Sequence, residues 1–302
     1  MVVDRCDGVT FHVLEKRDFS WLHRYGRALS CIDETGSGCL CFVMGDSRRK
    51  VFCKVAGAGT IHADVSPQES VCTLVRAMRV YDDLRHPHLA SVIEHYRHED
   101  LYVAVYEWAK GECLWDHWNF ERYSRNASLR SPSRRFLALP VERRLAAVEV
   151  LFSFLSHCAR RGYVAVDFYD GSIIYDFDSD TTTICDVDLF RRGPVINTVG
   201  EEWPGTKRFK APEEYARGSV IDERTIVFTL GAMISDFFGP ASAADMESRY
   251  ENNRFCAGPP AVWQLGDACR ETVMKATDPR RETRFGTIDE FHHAWIRSVA
   301  AR

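Results

Sequence analysis

Val164-Ala165-Val166-Asp167-Phe168-Tyr169-Asp170-Gly171-Ser172 lies between two different kinds of sequence pattern. Before it, apolar residues recur at helical spacing from about Val141 to Arg161. Gly162 then ends the run, as glycine does where a helix stops. After it come two short apolar stretches, Ser172 to Tyr175 and Thr183 to Cys185, of strand length. Asp176-Phe177-Asp178-Ser179-Asp180 separates them. That cluster lacks the Gly and Glu of a calcium loop (Thr181 and Val187 stand there), so it reads as a solvated hairpin turn. The second stretch leads into Cys185-Asp186-Val187-Asp188. One Asp beside a short strand is an ordinary turn residue.

The first third reads as short strands, with Cys39 to Met44 and Val51 to Val55 separated by the turn Gly45-Asp46-Ser47. Ser66-Pro67-Gln68-Glu69 opens a helix: Ser caps, Pro takes the first helical position, and Glu closes a capping box. The helix runs through Leu74, Met78 and Tyr81 to Leu84 and stops before His86-Pro87. Two more strands follow, near Ser91 to Tyr96 and Leu101 to Tyr106. Beyond Lys110-Gly111 helices dominate, and Arg224 to Phe238 is the most apolar. A strand-rich part followed by a helical part is an α+β layout. Asn119 to Pro140, rich in Arg and Ser, reads as an exposed basic insertion.

The chain has 302 residues, 45% hydrophobic and 27% charged, which is an ordinary globular composition. A net charge of -4 argues against a nucleic-acid-coating or polybasic membrane protein. Eleven cysteines occur without a CxxC pair, so zinc and thioredoxin-type readings are weak and buried thiols in a reducing compartment are favoured. Met1-Val2-Val3-Asp4-Arg5 lacks a signal pattern, and no apolar run approaches the ~18 residues of a membrane span. A soluble cytoplasmic protein with no membrane or nucleic-acid partner is expected.

Four segments, in order, carry a resemblance: Val51-Phe52-Cys53-Lys54, Val164 to Ser172, Cys185 to Asp188, and Gly205-Thr206-Lys207-Arg208-Phe209-Lys210-Ala211-Pro212-Glu213. With Asp278-Pro279-Arg280-Arg281-Glu282-Thr283-Arg284 they resemble the eukaryotic-type Ser/Thr protein kinases, in a divergent, bacterial-like form, from about Tyr25 to Trp295. The resemblance implies a two-lobed kinase-like fold with a small lobe over residues 1–108 and a larger one over 109–302, the 119–140 insertion lying in the latter. It implies ATP and Mg²⁺ (or Mn²⁺) as cofactors and a protein substrate. Lys54 would hold the phosphates, Asp167 would act as catalytic base, and Asp186 and Ser172 would hold the metal. Gly36 and Gly38 would line the nucleotide. The backbones of Glu107 and Ala109 would hydrogen-bond the base behind Tyr106. Glu213 and Arg284 would form a buried ion pair. Arg125-Asn126-Ala127-Ser128 would be a candidate autophosphorylation or docking motif.

The chain departs from the family pattern in several places. The His-Arg-Asp motif reads Ala165-Val166-Asp167, so activity is expected not to need phosphorylation of Thr198 or Thr206. Tyr169 replaces the catalytic-loop Lys, and Ser172 replaces the metal-binding Asn. Asp188 follows Asp186 by two residues; in an extended chain both would face one side and share the metal. Thr35-Gly36-Ser37-Gly38-Cys39-Leu40-Cys41 keeps only two glycines and by itself is a hairpin turn. Ala77 stands where the Lys-pairing Glu belongs, and Glu69 is better used in its capping box. The helix Asp that braces the catalytic loop is Ile226, unless Asp222 serves from one turn away. These changes keep two rivals open: a pseudokinase scaffold, and a small-molecule phosphotransferase of the aminoglycoside or choline kinase type.

Overall fold

Alternation along two neighbouring strands organises the first part of the chain. In β5 (Lys50–Ala56), Val51, Cys53 and Val55 are buried in one core with Leu40, Phe42 and Met44 of β4 (Leu40–Gly45), while Phe52 and Lys54 take the opposite face. With β3 (Arg27–Ile32), β6 (Val92–His98) and β7 (Leu101–Glu107) they form a five-stranded antiparallel sheet ordered β3-β4-β5-β7-β6. A hairpin of β1 (Val2–Cys6) and β2 (Val9–Val13) turns at Asp7-Gly8, both left-handed (φ 51° and 87°), which suits the twist of a two-residue hairpin. Phe11 of that hairpin meets Phe19 and Phe42 edge-on, with centroids 5.3 and 5.2 Å apart.

The other face of the sheet carries α1 (Pro67–Asp83), whose Tyr81 packs on Tyr106, with Tyr106 in turn beside Phe52. The expected capping box opens α1. Glu69 N–H donates to Ser66 Oγ (3.3 Å), and Glu69 Oε2 accepts from the Ser66 N–H (2.9 Å) and hydroxyl (2.7 Å).

The later part is helical. The structure is a computed structural model that describes residues 2–116, 119–126 and 128–302. Among these, α4 (Val141–Arg160) and α5 (Glu223–Phe238) form the centre of a core closed by α7 (Asp267–Ala276) and α8 (Ile288–Ala300). α5 is buried on nearly every side, as its almost uninterrupted apolar run requires. Short strands attach to this core: β8 (Glu112–Cys113) beside β10 (Ile173–Asp176) and β11 (Thr181–Ile184), β9 (Tyr163–Val164) with β12 (Arg191–Arg192), and β13 (Val195–Ile196) with β14 (Val220–Ile221). The chain is therefore α+β, with a β-rich N-terminal region and a helical C-terminal region. It divides into two compact units. The first holds residues to Arg85, Leu89–Lys110 and a short piece ending at Arg122; the second holds His86–His88, Gly111–Asp116 and Tyr123–Arg302.

The 119–140 segment is largely exposed, as expected, but it is not all loop. It forms α2 (Phe120–Arg125) and α3 (Pro132–Leu137), and Pro132 and Phe136 are buried. Ser131 Oγ accepts from the Arg134 N–H and starts α3, which turns Phe136 onto Tyr175 and Phe237 at 5.1 and 5.0 Å. The basic residues had masked one apolar anchor. Within the hydroxyl motif, Ser128 donates to Asn126 Oδ1 (2.6 Å), and Ala127 lies outside the described residues. Cys6, Cys39, Cys41, Cys53, Cys158 and Cys269 are buried, and no disulfide joins any of the cysteines. Among the described residues no helix is long and apolar enough to cross a membrane. The helices left to name are α6 (Ala243–Asn252) and several single 3₁₀ turns.

Candidate functional site

Burial on both sides of Asp167 fixes its segment. Val164, Ala165 and Val166 are buried before it, and Phe168 is buried after it against Phe154 and Phe190. Asp167 itself is left-handed (φ 58°), and so is Asp186 (φ 55°), just beyond β11. The other left-handed residues besides glycine have ordinary reasons: Asp7, Glu99 and Asp180 turn hairpins, and Asn253 ends α6. Asp167 and Asp186 sit at no hairpin tip. The left-handed region is sparsely populated outside glycine, and both acids occupy it in loop segments that follow short strands.

Burial raises the Asp167 carboxyl to about 7, and the charge of Asp186 pushes the same way, while Lys210 opposes. The Tyr169 hydroxyl is likewise pushed up by burial, then by Asp186 and Asp167. Its ring folds back over Gly171, where no β-carbon would fit. Ser172 is fully buried, and its Oγ has no hydrogen-bond partner among the described residues. Its N–H donates to the Tyr169 carbonyl (2.8 Å), and its carbonyl accepts from the Cys185 N–H (2.9 Å). The second bond ties the Asp167 segment to the residue preceding Asp186. A buried hydroxyl without a side-chain or backbone partner is open to a water or an ion. The oxygens of Asp186 and Ser172 are the hard donors that Mg²⁺ prefers, so these residues fit the ion the resemblance implies.

The argument for Asp188 lapses. It needed extended chain from Asp186 onward, but Asp186 is left-handed and the backbone then turns, with Phe190 N–H donating to the Val187 carbonyl (3.1 Å). The two-residue rule for facing one side does not hold across such a turn.

Asp170 reaches further. It accepts two bonds from Arg208, at 2.8 and 2.5 Å, and both side chains are buried. The Arg208 guanidinium lies 3.5 Å from the centre of the Trp115 ring. Arg249 donates to the Arg208 carbonyl (3.3 Å) and pairs bidentately with Asp236 of α5 (2.8 and 2.7 Å). The Asp167 segment is thus pinned through Arg208 and Arg249 to α5. Neither of the residues considered for the family brace serves: Ile226 is buried in the apolar core, and Asp222 caps α5 by accepting from the Arg224 N–H (2.8 Å) while pairing with Arg281. Sequence reasoning missed Asp170–Arg208 because no spacing rule links positions 38 apart.

The Gly205 to Glu213 stretch ends in the Glu213–Arg284 pair, bidentate at 2.7 and 3.0 Å and buried on both sides. Lys210 donates to the carbonyls of Trp203 (2.5 Å) and Glu201 (3.0 Å). Burial lowers its ammonium, against the pull of Glu214 and Asp167. A shallow pocket here is lined by Asp167, Thr206, Phe209, Lys210, Glu214 and Thr229. Burial raises Glu214 to about 8, although its Oε2 accepts from the Ala211 N–H at 2.7 Å. Unfolded, a Glu releases its proton near pH ~4.3. The stability due to this bound proton is therefore complete below ~4.3 and is lost as pH rises through about 8. Glu214→Gln keeps the acceptor and removes the ionisation. It should match the parent in urea unfolding near pH ~3.5 and exceed it near pH ~9.

The first unit holds the remaining expected residues. Lys54, half-buried, lies in the ladder between Cys41 and Ala104 on the α1 face. Ala77 is fully buried in α1, and the Glu69 carboxylate is engaged by Ser66. The Gly36–Gly38 turn closes on itself, Gly38 N–H donating to the Thr35 carbonyl (3.1 Å). It also folds against Asp64, whose N–H donates to the Gly36 carbonyl (3.0 Å) and whose Oδ2 would lie 2.5 Å from a β-carbon at Gly36. The Glu107 N–H donates to the Ser91 carbonyl (2.9 Å), and Ala109 follows β7 half-buried. No family model matches the chain, and no curated protein is significantly similar to it.

Proposed function

We propose that the chain is a divergent ATP-dependent protein kinase that transfers the γ-phosphate to Ser/Thr hydroxyls. The observation that carries this reading is the Asp167–Asp186 pair: two left-handed acids, electrostatically coupled, with the unpartnered hydroxyl of Ser172 between their segments. Mg²⁺ held by Asp186 and Ser172 would neutralise the charge of the transferring phosphate. Asp167 orients the acceptor hydroxyl and takes its proton. A carboxyl at about 7 is near the optimum for a general base working at neutral pH. Lys54 is the phosphate cation in this reading, and the accessible start of the Gly205 to Glu213 stretch, Gly205 to Lys207, would meet a protein acceptor.

The test is labelled γ-phosphate transfer by the purified chain with Mg²⁺ or Mn²⁺, alone and with generic protein acceptors. Asp167→Asn should lower turnover by about 10²–10⁴-fold while nucleotide still binds. Turnover of the parent should rise with pH as Asp167 loses its proton, at a lower pH than the about 7 of the metal-free carboxyl because Mg²⁺ cancels the charge of Asp186. An Asp167→Asn chain as active as the parent overturns the assignment.

One observation favours a second reading, a pseudokinase scaffold. Asp64 places a carboxylate against Gly36, where the resemblance puts phosphate. Under that reading ATP leaves the melting temperature unchanged, and Asp64→Asn makes it respond.

A further inference from the structure

Cys6, Asp7 and His23 come together at the N-terminal hairpin. Cys6 ends β1, Asp7 is the first turn residue, and His23 lies in the 3₁₀ turn Ser20–Tyr25. Their ligand atoms all lie within 4.8 Å of one another. His23 Nε2 is 3.0 Å from Asp7 Oδ2 and 3.9 Å from Cys6 Sγ. We propose that these three side chains form a binding site for a divalent transition ion of the Zn²⁺ type, which clamps the hairpin to the Ser20–Tyr25 turn.

The geometry suits a tetrahedral ion. With Zn–S of ~2.3 Å and Zn–N and Zn–O of ~2.1 Å, tetrahedral angles put S and N ~3.6 Å apart and N and O ~3.4 Å apart. The observed separations differ from these by a few tenths of an ångström, which side-chain torsions absorb. The donor set is also right in kind: thiolate, imidazole and carboxylate are the zinc ligands. Their charges sum to cancel the ion, so closing the site buries no net charge.

The surroundings hold the donors in place. The Ala28 N–H donates to Asp7 Oδ2 (2.8 Å) and orients the carboxylate, the role that outer hydrogen bonds play at metal centres. Asp4, buried under the hairpin, accepts from the Arg5 and Arg17 N–H groups (2.8 and 3.0 Å). Asp7, Asp18 and Asp4 set a negative field at Cys6, offset in part by Arg27 beside Asp7. Asp18 is engaged by the Ser20 N–H and hydroxyl. A CxxC search misses such a site because its donors lie on separate elements.

Co²⁺ is the probe, since a thiolate–cobalt bond gives a near-ultraviolet charge-transfer band and tetrahedral Co²⁺ gives intense visible bands. Titration of the full chain under reducing conditions should show both, at one ion per chain, with Zn²⁺ displacing Co²⁺ and raising the melting temperature. Cys6→Ser should lose the charge-transfer band. His23→Gln, at an exposed side chain that leaves packing intact, should weaken binding at least ~10-fold with an unchanged circular-dichroism spectrum. Absence of tetrahedral bands in the parent overturns the site. So do bands that persist unchanged in His23→Gln, which would mean that other cysteines bind the ion.

Discussion

Arg284→Met is expected to cost about 3–5 kcal/mol of folding stability, read as a lower urea midpoint, because it strands a buried carboxylate. Glu213 sits on its partner at 2.7 and 3.0 Å and also accepts from the Thr225 hydroxyl at 2.8 Å. Arg284 is held by more than the pair. Its Nε donates to the Asp278 carbonyl at 2.7 Å, and its guanidinium lies over Phe228. Glu213→Gln leaves those carbonyl bonds in place but leaves the cation without its counter-charge, and it should cost a similar amount. Burial alone would raise Glu213, but the bonds and charge of Arg284 outweigh it and leave the carboxyl below its usual value. For a depressed carboxyl, stability is present above the unfolded value near ~4.3 and is lost as pH falls through the folded one. The difference between parent and Glu213→Gln should therefore shrink on acidification below pH ~4. The exposed Arg85–Asp82 pair is the control, and Arg85→Ala should change stability by no more than ~0.5 kcal/mol. A cost below about 1 kcal/mol for Arg284→Met would show that water reaches the pair.

Asp170→Asn is the second large expected effect, and it joins stability to the proposed chemistry. Asp170 and Arg208 are buried together, and Arg208 carries Arg249 and Asp236 behind it. Removing the carboxylate charge leaves two buried guanidinium groups against one acid, for a cost again of about 3–5 kcal/mol. Asp167 lies three positions before Asp170, so its left-handed backbone loses an anchor. Arg208→Lys separates the two effects. It keeps the charge and breaks the bidentate geometry, because a point ammonium cannot match the fork. It should lose less stability than Asp170→Asn yet still lower phosphotransfer. Equal stability in the parent and both variants would mean that the network is dispensable.

Local pattern in the amino-acid order set several of the elements. Ser66-Pro67-Gln68-Glu69 starts a helix from local bonds alone, and the alternation in Lys50–Ala56 sends Val51, Cys53 and Val55 to one face whatever lies opposite. These are short-range choices, made within one turn or one pleat, so the α+β layout was legible. Asp167 and Asp186 stood out for the same reason, as acids beside short apolar strands. The exposure of the segment from 119 to 140 was legible in its Arg and Ser residues, but not the burial of Phe136, which depends on Tyr175 and Phe237 far along the chain. Only the tertiary structure decided how the acids are coupled, that Asp170 grips Arg208, that Asp64 crowds Gly36, and that Cys6, Asp7 and His23 meet. Such groupings follow from packing between elements, and packing depends on shapes and burial that no local spacing encodes.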